Sequence, residues 1–214
     1  MLNSFIYLHG FASSPKSYKA ENISYRFEQM QINLKVPDLN AGDFSHLTIT
    51  RQINQVVGEF PDSSTPITLI GSSLGGLTSA YLGEKYLQVE RLILLAPAFG
   101  FLSHWLSQLG TDKIQQWQQE KYLSIYHYGE KKELPLSYNF ITDARQYQEH
   151  LLQRPIPTLI LHGKEDEVIP IQSSRDFARS RPWVKLIELD SDHALNNVID
   201  DIWQAIYSFL SISY

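Results

Sequence analysis

Short apolar runs recur along the chain, and the stretches between them carry apolar residues at helical spacing. The runs fall at 5–8, 32–36, 67–70, 92–95, 156–161 and 184–189. Several are nearly continuous in Ile, Leu and Val rather than alternating, the pattern of parallel strands buried on both faces. Between them, Ala20, Ile23, Phe27 and Met30 share one helical face, as do Ile49, Ile53, Val56, Val57 and Phe60. Leu195, Val198, Ile199, Ile202, Ile206 and Phe209 make a third stripe. Strand alternating with helix predicts an α/β fold, a mostly parallel sheet with helices on both faces. No internal repeat or low-complexity linker interrupts it, so residues 1–214 are expected to form one domain.

One segment breaks the rhythm. Between about 99 and 150 the chain spaces Phe101, Trp105, Trp117, Tyr122, Tyr126, Tyr128, Tyr138, Phe140 and Tyr147 among polar residues. Structureless loops beyond ~15 residues are uncommon in compact domains, so a helical insertion over the strand ends is expected, a cap or lid. An extra packed helical pair that never meets substrate is the alternative.

Composition narrows the classes. With 43% hydrophobic and 19% charged residues, the 214-residue chain has the balance of a globular protein. Its net charge of −5 and lack of a basic cluster argue against nucleic acid as a partner. It has no cysteine, which excludes disulfides, thiol nucleophiles and Cys-based zinc sites. No cationic leader or bilayer-length apolar run is present, so a cytoplasmic protein with no membrane span is expected.

The chemistry concentrates at strand ends. After the run at 67–70, Gly71-Ser72-Ser73-Leu74-Gly75 fits G-x-S-x-G with Ser73 at the centre. A sharp strand-to-helix turn exposes the central hydroxyl, and glycines two residues to either side avoid backbone clashes. The dinucleotide pattern G-x-G-x-x-G fails because Ser73 stands where a glycine is needed, and no Gly-Lys-Ser/Thr phosphate loop is present. On this stretch alone, a plain glycine-rich turn stays open.

Its surroundings decide. His9-Gly10-Phe11 follows the first strand, and the amides of Phe11 and Leu74 can converge as an oxyanion hole. His9 is expected to brace that loop rather than act as a base. After the strand at 156–161, the spacing H-G-x-x-D-x-x-x-P selects Asp166 as the acid that orients an imidazole, with Glu165 and Glu167 as solvated neighbours. His193 follows the strand at 184–189 and is the best-placed general base. Nucleophile, acid and base then occur in the order Ser73, Asp166, His193, each after a predicted strand, as an α/β-hydrolase requires.

At this point the chain resembles the α/β-hydrolase superfamily. It looks most like small bacterial esterases whose first strand runs into H-G-F-x-S-S-P, here His9 to Pro15. The resemblance covers nearly the whole chain and is weakest between 99 and 150. Because so few residues precede the His-Gly loop, it implies a reduced sheet of about six strands. It also implies Ser73 as nucleophile, His193 as base and Asp166 as orienting acid.

The substrate expected is a small-molecule carboxylic ester, cleaved through an acyl-enzyme, with no cofactor and no metal. A thioesterase using the same triad and a non-catalytic ligand-binding homologue are the alternatives. Phe11, Phe99, Trp105 and Trp117 are the candidate pocket walls, and Lys16 or Arg145 could meet an anionic group. Oligomeric state has no signal in the sequence.

Overall fold

The computed structural model describes residues 3–211; the ends of the expected domain, 1–2 and 212–214, lie outside the described residues. Six strands form one sheet: β1 (Ser4–Leu8), β2 (Leu34–Lys35), β3 (Ile67–Ser72), β4 (Val89–Leu95), β7 (Thr158–Gly163) and β8 (Val184–Leu189). Their order across the sheet is β2-β1-β3-β4-β7-β8, and every neighbouring pair is parallel. Parallel neighbours require crossovers, which the intervening helices supply.

Period-two geometry explains why both faces are apolar. Successive side chains point to opposite sides of a strand. Phe5 and Tyr7 therefore meet Ala20, Ile23 and Phe27 of α1 (Tyr18–Gln29) and Ile202 and Ile206 of α8 (Ile199–Ser211). Ile6 and Leu8 join the opposite layer, with Ile53 and Val56 of α2 (Ile49–Gly58) and Leu77 of α3 (Leu74–Lys85). All of these side chains are buried. The helices start where polar caps allow: the hydroxyls of Ser17 and Thr48 accept the amides of Ala20 and Arg51.

Three local expectations need correction. The strand expected at 32–36 shrinks to the two residues of β2, which sits at the sheet edge with a single neighbour. Met30 is exposed, because α1 ends at Gln29 and Met30 is its C-cap. The segment from 99 to 150 is not purely helical. It contains α4 (Phe101–Leu109), α5 (Thr111–Glu120), an antiparallel hairpin of β5 (Tyr122–His127) and β6 (Lys132–Ser137), and α6 (Asn139–Ala144). In β5 the side chains alternate between exposed and covered, with Leu123 and Ile125 turned inward. A period of two, hidden in an aromatic-rich stretch, marks that strand.

Strand exits are where the backbone is most unusual. Ala12, Ser73, Ala96 and Leu195 all have positive φ, at 50°, 53°, 44° and 56°. They follow β1, β3, β4 and β8, and the loops they shape converge on one cavity. Non-glycine residues in that region are strained and persist only where packing over-determines them.

Candidate active site

The cavity opens at the C-terminal ends of the parallel strands, where α/β sheets generally bind ligands. Its volume is about 1000 Å³, and Phe11, Phe101, Trp105, Ile125 and Phe140 give it an apolar wall. Ser73 and His193 lie on its surface.

Ser73 sits in the turn between β3 and α3, with φ 53° and ψ −118°. Four backbone bonds hold it there. Its amide donates to Leu95 O at 2.9 Å, and its carbonyl accepts the amides of Gly76, Leu77 and Ala98 at 2.9, 3.1 and 3.0 Å. The flanking glycines are required by contact. A Cβ on Gly75 would stand 2.2 Å from Leu8 O, and one on Gly71 would stand 2.3 Å from Gly75 O. The turn is thus pressed against β1 and can present its hydroxyl only to the cavity.

His193 lies on the loop between β8 and α8, where the Asp192 carboxylate accepts the amides of Ala194 and Leu195 at 2.9 and 3.2 Å. Its Nδ1 is 2.7 Å from Asp166 Oδ2, and its Nε2 is 3.0 Å from Ser73 Oγ. A carboxylate accepts only, so Nδ1 carries the proton and Nε2 is left to accept from the serine. The sequence-predicted trio is therefore one hydrogen-bonded chain.

Asp166 is fully covered by the fold, and both oxygens are used. Oδ1 accepts the amides of Val168 and Ile169 at 2.9 and 2.8 Å. Oδ2 accepts from His193 and lies 3.0 Å from Nε2 of His162, which donates to Ile169 O at 3.0 Å. Burial by itself pushes a carboxyl up. Here the adjacent His162 and His193 rings and the Ile169 amide outweigh it and hold Asp166 well below the ordinary carboxylate range. Glu165 and Glu167 on the same loop are exposed.

The amides of Phe11 and Leu74 belong to residues lining the cavity, and neither donates to a protein acceptor among the described residues. His9 is buried beneath that loop; its Nε2 accepts the Leu39 amide at 3.0 Å and its Nδ1 donates to Gly10 O at 2.9 Å.

Two expected wall residues are elsewhere. Phe99 is buried and stacked on Phe177, with ring centroids 4.1 Å apart. Trp117 lies behind Trp105, 1% exposed, with Nε1 donating to Leu136 O at 2.9 Å. Both are large aromatics whose burial against a neighbouring element outweighs exposure to the cavity. Phe101, Ile125 and Phe140 take their place.

Lys16 and Arg145 are exposed and do not line the cavity. The lysine that does is Lys19, half-buried in α1, whose ammonium donates to His193 O at 3.4 Å. Burial pulls its pKa down to about 8, against the opposing fields of Asp166 and Asp192. Sequence spacing missed it because position 19 reads as an ordinary helix lysine. His162 was visible as part of the H-G motif, but not as a partner of Asp166.

No helix among the described residues is long and apolar enough to cross a membrane. No group of acidic or histidine side chains among them could hold a metal ion.

Comparison with solved structures shows the fold. Alpha/beta hydrolase domain-containing protein 10 from mouse is 22% identical, with 98% of this chain and 88% of that chain covered and a TM-score of 0.77. Est1E from Butyrivibrio proteoclasticus, in a structure with ferulic acid bound, is 19% identical over 98% and 90% of the two chains, with a TM-score of 0.79. The alpha/beta hydrolase GrgF from Penicillium sp. sh18 is 13% identical over 97% and 89%, with a TM-score of 0.76. The chain thus has the α/β-hydrolase fold. No curated protein matches it in sequence. The model of an uncharacterised protein family, UPF0227, matches residues 4–211, and the chain belongs to that family.

Proposed function

We propose that this protein is a serine hydrolase that cleaves small-molecule carboxylic esters through an acyl-enzyme. The observation that carries this reading is the unbroken chain of hydrogen bonds from Ser73 Oγ through His193 to Asp166. A binding protein has no chemical need for a hydroxyl, an imidazole and a buried carboxylate so arranged. Solved structures with the same fold include proteins named as hydrolases, among them a pyrethroid hydrolase, which agrees with the reading.

In the first step Ser73 Oγ attacks the acyl carbon as its proton passes to His193 Nε2. The carbonyl oxygen becomes an oxyanion held by the amides of Phe11 and Leu74, each worth about 3 kcal/mol in the transition state. Asp166 stabilises the imidazolium. The bond to the alcohol oxygen then breaks, and that oxygen takes the proton from His193. Water enters, gives a proton to His193, and attacks the acyl-serine, releasing the acid and restoring Ser73.

The segment 99–150 acts as the cap in this scheme. It contributes Phe101, Trp105, Ile125 and Phe140 to the cavity, an acyl wall suited to an apolar or aromatic acid.

Labelling with a fluorophosphonate probe tests the assignment. Wild type and Ser72→Ala are expected to label, while Ser73→Ala is not; labelling of folded Ser73→Ala would refute it. Rates on 4-nitrophenyl esters of increasing acyl length test the wall, and indifference to length would count against it.

A further inference from the structure

The acid of the proposed triad has a second imidazole. Oδ2 of Asp166 lies 2.7 Å from Nδ1 of His193 and 3.0 Å from Nε2 of His162, so one oxygen is shared between two rings. His162 is the penultimate residue of β7, 0% exposed. Its own contacts determine its protonation. Nε2 faces two acceptors, Asp166 Oδ2 and the carbonyl of Ile169 at 3.0 Å, and must carry a proton. Nδ1 lies 2.8 Å from the hydroxyl of Ser174, which is also 0% exposed. A hydroxyl can give or take; in a neutral ring with its proton on Nε2, Nδ1 must accept, so Ser174 donates. A second proton on His162 would reverse that bond, with the hydroxyl then accepting from Nδ1.

We infer that His162 is a positioning residue for the proposed reaction. With its proton on Nε2, where two acceptors face it, the ring braces Asp166 in line with His193, and the Ser174 hydroxyl holds its other nitrogen. The machinery then runs through five side chains, Ser174–His162–Asp166–His193–Ser73, and begins on α7 (Gln172–Arg179). This inference rests on the serine-hydrolase reading for its effect on turnover, though not for its geometry.

The clamp has a chemical reason. With three hydrogen bonds and the His162 ring 3.0 Å from Oδ2, Asp166 has little freedom to rotate. A carboxylate held only by its loop amides could turn Oδ2 away from His193 between turnovers. The two imidazoles beside Oδ2 keep the carboxyl ionised against its burial. A protonated Asp166 would withdraw the negative charge that the His193 imidazolium needs during catalysis.

The groups facing this relay are few. Asp166 meets His162 from β7, His193 from the loop after β8, its own loop amides, and Lys19 of α1 through space. Lys19 in turn feels Asp192. His162 meets Ser174 from α7 and lies opposite Glu188 of β8, whose carboxylate is held by Arg175.

The test uses His162→Phe, His162→Gln and Ser174→Ala in the full chain, with two readouts. The first is a carbon-13 NMR titration of the Asp166 carboxyl, which is independent of turnover. Wild type is expected to stay ionised down to the lowest pH at which it folds. In His162→Phe the midpoint moves up into the ordinary carboxylate range, and in Ser174→Ala it moves the same way by less. The second is ester hydrolysis at pH 7. His162→Phe should lose kcat about tenfold, the scale seen when an outer partner of a reactive side chain is removed, with KM unchanged. His162→Gln, which returns an N–H at similar reach, should recover most of it.

If His162→Phe does not fold, the other two variants carry the test. An Asp166 midpoint unmoved in the folded variants, a His162 proton found on Nδ1 by nitrogen-15 NMR, or a loss that falls on KM alone would overturn the inference. Should the wild-type chain hydrolyse no ester, the hydrolase reading falls, and the titration still decides whether His162 holds Asp166.

Discussion

Gly163 offers a sharp mechanical test of how the two loops are registered. It ends β7, and a Cβ placed on it would stand 2.3 Å from Ser191 O and 2.5 Å from Asp192 O, both backbone atoms of the loop that carries His193. An ordinary carbon–oxygen contact needs ~3.2 Å, so Gly163→Ala must drive the strands' exits apart by roughly 0.9 Å, the steric limit that overpacking imposes on a close-packed interior. The bond at stake is the 2.7 Å contact between His193 Nδ1 and Asp166 Oδ2, which spans these same two loops. Stretching it by that amount takes it beyond hydrogen-bond range. A misplacement of ~1 Å typically costs ~100-fold in rate, while overpacking costs about 1–3 kcal/mol of stability.

Gly163→Ala should therefore lose about two orders of magnitude in kcat/KM on a 4-nitrophenyl ester while its melting temperature drops by only several degrees. Rate and melting curve are measured on the same preparation. Wild-type kcat/KM in a folded Gly163→Ala protein would refute the registration argument outright.

Other perturbations separate packing from chemistry. Trp117→Ala should cost about 3–5 kcal/mol, seen in urea unfolding, because the ring is buried behind Trp105 and also loses its bond to Leu136 O. Trp105→Ala should instead raise KM for bulky acyl esters, with a smaller stability loss, since Trp105 lines the cavity. Lys19→Met should raise the melting temperature at pH 7. Burial lowers the lysine pKa to about 8, below its unfolded value of ~10.4, so the unfolded state binds more protons between these values. Wild-type stability then carries the full penalty below pH 8 and recovers it as pH rises towards 10.4; an unchanged or lower melting temperature in Lys19→Met would count against this. Asp166 has the opposite consequence. Its carboxyl is held below the unfolded value near ~3.9, so its stabilising share is present above that pH and lost as pH falls through the folded value. Asp166→Asn should flatten the acid limb of the stability curve, and identical acid limbs in the two proteins would be evidence against it.

Much of the architecture was legible because parallel strands buried on both faces write themselves as continuous apolar runs. Leu92 to Leu95 and Leu159 to Leu161 could hardly be anything else. The trio Ser73, Asp166 and His193 was legible through glycine spacing and chain order, both of which follow from backbone geometry. The less legible parts share a physical cause. Phe99 and Trp117 are aromatic residues in a segment rich in them, and composition does not say which ring faces a cavity and which packs behind it. The hairpin of β5 and β6 has a weak alternating signal, and Pro135 within β6 obscures it further. The positive φ of Ala12, Ala96 and Leu195 is imposed by tertiary packing on residues with no local preference for it. The places of His162 beside Asp166 and of Lys19 at the cavity became visible only once distant strands and helices were brought together.

Phe11 links two properties that an engineer would wish to vary separately. Its ring packs among Phe44, Trp105 and Phe140, at centroid distances of 5.5, 5.6 and 5.5 Å, while its amide is one of the two donors proposed for the oxyanion. Recutting the acyl wall at Trp105 or Phe140 therefore loosens the anchor of that amide as well. Substrate range and turnover are coupled through one residue, so variants selected for larger acids at these positions should arrive already slowed. Changes at His104 or Gln108, which line the cavity and are not among the aromatic rings packed on Phe11, should leave the amide anchored and give selection a freer hand.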